Sequence, residues 1–206
     1  MNRISQNTPN TITIAMTGAS GAAYGLRLVD ALLRAQKKVY FLASNPALMV
    51  MAQELDLKLS AKPREMARQI CEYLGHPEDH FTAFGRDQWT APIASGSRPS
   101  DAMVVIPCTS GTLSSIATGA SNNLLERAAD VIIKERLPLI LVHRETPLSA
   151  IHLENMLTLT RNGVTILPAN PGFYHRPQSL DDIIDFIVAR VLDHLGIDNQ
   201  LSPRWG

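Results

Sequence analysis

Five short segments of this 206-residue chain place hydroxyls, glycines or charged groups directly after an apolar run. They are Thr17-Gly18-Ala19-Ser20-Gly21, Ser44-Asn45, Cys108-Thr109-Ser110-Gly111-Thr112, His143-Arg144-Glu145-Thr146 and Asn170-Pro171-Gly172-Phe173-Tyr174. Glycines and hydroxyls where a helix begins let backbone N–H groups approach a phosphate, and the helix dipole favours the negative charge. The first and third segments suit that chemistry. Neither has the G-x-G-x-x-G spacing of a dinucleotide fingerprint, and no Gly-Lys-Ser/Thr completes a P-loop, which disfavours NAD and ATP. A mononucleotide such as FMN fits what remains. Ordinary βα turns use the same residue types, so both readings stay open.

An anion here needs a local cluster of cations. The 19 basic and 19 acidic side chains cancel, and without a global field nucleic acid and anionic membrane surfaces are poor partners. Arg127 and Lys134 lie seven apart in NNLLERAADVIIKER and share a helix face. Asp130 precedes Lys134 by four residues, so a solvated ion pair also accounts for the pattern, and Arg190 carries the same ambiguity. Arg144, at the end of an apolar run, faces the expected cleft. The six histidines show no HExxH motif, and a structural role is expected for each. Cys71 and Cys108 have no metal-ligand spacing, so no metal is expected, and so few thiols suit a reducing cytosol. GASGA is not the G-x-S-x-G elbow of a hydrolase. Trp89 and Trp205 lie in irregular segments, where a large aromatic covers a ligand or a neighbouring subunit, or simply packs.

The elements that must position these groups are legible as five β-branched runs: Thr11 to Met16, Lys38 to Ala43, Ala102 to Pro107, Leu137 to Val142 and Val164 to Ala169. Their near-continuous hydrophobicity predicts strands buried on both faces. Between them, Ala22, Leu26, Val29 and Leu33 mark one amphipathic helix. Leu180, Ile183, Ile184, Ile187, Val188 and Val191 mark the last, with Ser179 and Asp182 as a capping box. Strands alternating with helices predict a doubly wound α/β domain with a parallel sheet, Rossmann-like or flavodoxin-like, and ligands outside the carboxyl ends of its strands. The chain reads as one domain, residues 1–206. Residues 1–10 form a polar, flexible start, and the Pro/Gly/Ser-rich stretch 75–100 forms an irregular loop or arm. No signal peptide or membrane span is apparent, so a cytoplasmic protein is expected.

The segments MTGASGAAYGLRL, PCTSGTLSSIATGASNNLLERAADV, LVHRETPLSAIHLENM and LPANPGFYHRPQS make the sequence resemble the flavin prenyltransferase family of the UbiX type, from about Ile12 to the carboxyl terminus. The resemblance implies transfer of a dimethylallyl group from dimethylallyl phosphate to N5 and then C6 of reduced FMN. The prenylated FMN so formed serves UbiD-type decarboxylases, in pathways such as ubiquinone synthesis. It implies that Gly18, Ala19, Ser20, Ser44, Thr109, Ser110, Gly111, Thr112 and Arg144 bind FMN, and that Lys134, Arg144, Tyr174 and Arg190 grip the donor phosphate, with Arg127 lining the same basic region. Glu145 would manage the phosphate proton, Ser20 and Glu54 would orient the flavin and assist proton movement, and Trp89 and Trp205 would wall the prenyl site. Homododecamers built from trimers, with sites at subunit contacts, are implied as well. An FMN-dependent cysteine-type decarboxylase and a flavodoxin-like FMN carrier are the competing readings. The first is disfavoured because its catalytic histidine and Pro-x-Met-Asn segment have no equivalent here.

Overall fold

A computed structural model describes residues 8–97 and 99–204. The elements run β1 (Thr11–Met16), α1 (Ala22–Arg34), β2 (Lys38–Ala43), α2 (Asn45–Leu55), α3 (Pro63–Leu74), β3 (Phe81–Ala83), β4 (Ala102–Cys108), α4 (Ser110–Ala117), α5 (Leu124–Lys134), β5 (Leu139–His143), α6 (Ala150–Arg161), β6 (Thr165–Ile166) and α7 (Leu180–Leu195). Each of the five apolar runs contributes a parallel strand, though the last contracts to the two residues of β6. The stretch 75–100 is more ordered than its composition suggests. It holds β3, which pairs with β2 through Val39, Tyr40 and Phe41, and two short 3-10 turns.

The sheet order is β3-β2-β1-β4-β5-β6. Without its short edge strand β3, this is the order of a flavodoxin-like sheet; with it, that of a Rossmann sheet. Either way the direction of winding reverses between β1 and β4, which opens a crevice at their carboxyl ends. Alternation along β1 sends Ile12, Ile14 and Met16 into one layer beneath α1 and α7, and Ala15 into the other beneath α4 and α5. Each fully buried side chain of this kind contributes about 1.5–3 kcal/mol.

The helices begin where the sequence provides caps. Ser44, Thr109 and Asn123 accept from the amides of Ala47, Thr112 and Glu126 at the starts of α2, α4 and α5. The expected capping box of α7 forms, with Asp182 N–H donating to Ser179 and Ser179 N–H to Asp182. Leu180, assigned to the apolar stripe of α7, is instead exposed on its first turn. The buried Asp30 accepts from Arg27, Arg34 and His76, while Arg27 also reaches Asp185, which ties α1 to α3 and α7. Among the described residues no helix is long and apolar enough to cross a membrane.

Candidate active site

Three of the caps open onto the crevice at the strand ends. Thr17 locks its floor: its hydroxyl donates to Pro107 O at 2.8 Å and accepts from Thr109 N at 2.9 Å, joining the ends of β1 and β4. A cavity of about 160 Å³ lies beside it, lined by Thr17, Ser44, Thr112, Asn123 and Arg86 among others. The starts of α2, α4 and α5 converge there, so their dipoles favour an anion. Arg86 adds an exposed cation that the sequence patterns did not single out. Its signal was faint, a lone arginine in the segment FGRDQW.

Two of the glycines have different reasons to be glycine. A Cβ on Gly18 would collide with Pro46, so Gly18 is required by packing of the first turn against α2. A Cβ on Gly111 would meet nothing within 4 Å, so packing does not demand glycine there. Open space over a helix start is what close approach of a ligand needs.

Glu54, the residue with the weakest sequence motif, lies inside the site. α2 carries its carboxylate back to the start of α1, where it accepts from Gly21 N at 3.0 Å and from Ala22 N at 2.8 Å. Gly21 has φ 110°, a left-handed conformation that suits glycine and turns its N–H toward this carboxylate. Burial opposes the Glu54 anion. The Ser20 hydroxyl, the two amides and the charge of Arg144 outweigh it and hold the carboxyl below its usual range. The α1 start is therefore occupied by the protein's own anion.

Arg144 follows β5, anchored through its N–H to Cys108 O. Its Nε is buried and has no hydrogen-bond partner among the described residues. An orphaned guanidinium donor within reach of the Glu54 and Glu145 charges is a seat for a ligand acceptor. This fits an anionic, hydrogen-bond-rich molecule such as FMN. Beyond Arg144, Glu145 accepts from Ser110 Oγ at 3.1 Å and from Thr146 N at 3.2 Å. Those bonds, with the charge of Arg144 beside them, hold its carboxyl below the usual range. Ser110 Oγ also lies 3.1 Å from Nε2 of His143, whose imidazole is 2% exposed. Cys108 is no nucleophile, since burial pushes its thiol up to about 12.

Thus Ser20, Glu54, Arg144, Glu145 and Ser110 form one connected group, and Ser44 and Thr112 border the adjoining cavity, with Thr109 hydrogen-bonded to Thr112. The expected basic cluster is not assembled within the chain. Arg127 binds Asp130 and Ala94 O, while Lys134 pairs with Glu135 rather than with Asp130. Because α5 starts at the strand ends and runs 11 residues back, Lys134 lies about 15 Å toward the opposite end of the domain. Tyr174 and Arg190 line a separate cavity of about 490 Å³ with Arg204, where Arg190 pairs with Asp193 at 3.0 Å. Trp89 is half exposed in the turn after β3, and Trp205 lies outside the described residues.

Comparison with known proteins places the chain among flavoproteins. The family model described as Flavoprotein matches residues 2–192. The chain is 57% identical to the flavin prenyltransferase UbiX of Pseudomonas aeruginosa, over 96% of this chain and 95% of that protein. A crystal structure of AnUbiX in complex with FMN and dimethylallyl pyrophosphate superimposes with a TM-score of 0.85 at 36% identity, covering 96% of this chain and 98% of that one. A dodecameric FMN-dependent UbiX-like decarboxylase from Escherichia coli O157:H7 gives 0.83 at 38% identity, covering 95% and 99%.

Proposed function

The chain belongs to the UbiX-type flavin prenyltransferases, and from that premise we propose that it joins a dimethylallyl group to reduced FMN at the crevice between β1 and β4. The observation that carries this reading is the buried, unpartnered Nε of Arg144, flanked by two ionised carboxylates at the strand ends. The residues that would hold FMN are Gly18, Ala19, Ser20, Ser44, Thr109 to Thr112 and Arg144, with Arg86 as a further cation. Bound reduced FMN supplies the nucleophilic N5 and C6.

The chain's own residues supply the rest. Lys134, Arg144, Tyr174 and Arg190, with Arg127 beside them, stabilise charge on the departing phosphate as the allylic C–O bond breaks. Trp89 walls the donor site, excludes water and faces the allylic cation. Glu145 is a carboxylate in the ligand-free protein. A phosphate monoanion arriving beside it can pass its proton to Glu145, whose proton affinity the resulting dianion raises, and the proton returns to the phosphate as it departs. Ser20 can accept a proton while passing its own to Glu54, the ionised acceptor behind it.

Lys134 and Arg190 lie away from the strand ends of their own chain, so a complete site needs a second copy. Assembly as a homo-oligomer supplies it, and a dodecamer built from trimers is the proposed form. The product would pass to a UbiD-type decarboxylase in the cytoplasm. Dimethylallyl phosphate is the proposed donor, with the pyrophosphate as the competitor to compare. Anaerobic incubation with reduced FMN and each donor tests the reading by mass spectrometry of the released flavin. A gain of one dimethylallyl unit is expected, with the monophosphate turning over faster; unmodified FMN from both would refute it.

A further inference from the structure

We propose that His143 is a positioning residue for Glu145, acting through the hydroxyl of Ser110. This rests on the reading of Glu145 above and assigns a purpose to a buried imidazole which that mechanism leaves unused. His143 ends β5, Ser110 opens α4 and Glu145 lies two residues beyond His143. Ser110 Oγ sits 3.1 Å from both His143 Nε2 and Glu145 Oε2.

The direction of this chain of hydrogen bonds is forced. An ionised Glu145 can only accept, so the single hydroxyl proton of Ser110 must go to it. The Ser110 oxygen then accepts, and His143 must donate through Nε2–H. Burial above all disfavours the imidazolium. A neutral ring with its proton on Nε2 is therefore the form present. The ring is itself held. It packs edge-on against His152 at 6.0 Å, and His152 Nδ1 accepts from Ser149 N in the cap of α6.

Glu145 is otherwise an exposed side chain with many rotamers. The chain from His143 fixes it from a strand end and a helix start, two rigid supports. A donor behind Ser110 also polarises the hydroxyl and strengthens its bond to the carboxylate. The groups facing Glu145 are Ser110 from α4, the Thr146 amide, Arg144 and His152 from α6. Of these, Ser110 shares a hydrogen bond with His143, and His152 packs against its ring.

The test compares His143→Phe, which keeps a ring and loses the donor, with His143→Gln, which restores an N–H close to the Nε2 position. Two readouts are needed. The first is the infrared carboxylate band of Glu145, assigned by its loss in Glu145→Gln and titrated in flavin-free protein. The midpoint should rise in His143→Phe and return in His143→Gln. The second is prenyl transfer. His143→Phe should lower kcat about tenfold to a hundredfold, the loss expected when a reacting group is slightly misplaced, with little change in KM. The acid limb of its pH profile should move upward, and His143→Gln should recover most of the rate. An unmoved infrared midpoint, or equal losses in both variants alongside lowered thermal stability, would overturn the proposal. If wild-type protein made no prenylated flavin, the functional reading would fall, while the infrared titration would still decide the hydrogen-bond chain.

Discussion

Replacing Arg144 with methionine separates the cost of an unpartnered donor from its use. The substitution keeps an unbranched apolar stem and removes the guanidinium, whose Nε is buried without a partner. A buried donor left unsatisfied costs about 1–3 kcal/mol, so deleting it relieves the ligand-free protein of that penalty. Against this stand the attractions of Arg144 to Glu54 and Glu145. Both carboxylates belong to exposed residues, and such partly solvated pairs are worth about 0.2–1 kcal/mol each. The balance runs from about 1 kcal/mol against the variant to about 2.6 kcal/mol in its favour. At about 2–4 °C per kcal/mol for a chain of this size, the ligand-free variant should unfold between about 4 °C below and about 10 °C above the wild-type temperature. Binding should move the other way. Loss of a charge-assisted contact costs about 1.5–3 kcal/mol, or about tenfold to a hundredfold in FMN affinity. Calorimetric unfolding and fluorescence titration of FMN, at matched protein concentration, read the two effects. A ligand-free variant that melts well below wild type while binding FMN equally tightly would refute the reasoning, because Arg144 would then be a structural residue.

Arg86→Ala should weaken FMN binding about tenfold and lower the salt dependence of that binding, since it removes the exposed cation from the cavity formed by Ser44, Thr112 and Asn123; unchanged affinity at low salt would exclude it from the anion seat. Glu145→Gln and Lys134→Ala proteins should each be nearly inactive. Dissociated and reassembled together at equal amounts, they should recover about a quarter of wild-type rate, because random pairing leaves that share of intersubunit sites intact. No recovery in a reassembled mixture would mean that both residues act within one chain.

The local features were legible because each is set by neighbours in sequence. The β-branched runs of β1, β2 and β4, the stripe of α1 and the Ser179–Asp182 box all appear where patterning put them. β3 was not legible, since three residues in a polar stretch carry too little pattern, and its pairing with β2 is a long-range event. Glu54 was nearly invisible for the same reason. Its partners Gly21 and Ala22 lie 33 and 32 residues away, and only the packing of α2 beside α1 brings them together. His143 was read as structural because one histidine after an apolar run signals nothing. Its meaning comes from Ser110, which another strand-helix unit delivers.

The proposed division of the site between copies has a reason in the topology. In a parallel sheet every crossover helix starts near the carboxyl ends of the strands and finishes at the other end. Helix starts gather anions, and those of α2, α4 and α5 meet at one cavity, lined by Ser44, Thr112 and Asn123. Helix ends favour cations, and Lys134 occupies the last turn of α5. The arrangement that builds an anion seat thus carries dipole-favoured cations away from it. A single domain of this kind can bind a flavin at its strand ends, but it cannot also bring Lys134 to the same phosphate donor. In the proposed assembly, a second copy docked with its helix ends against the first copy's strand ends would satisfy both demands.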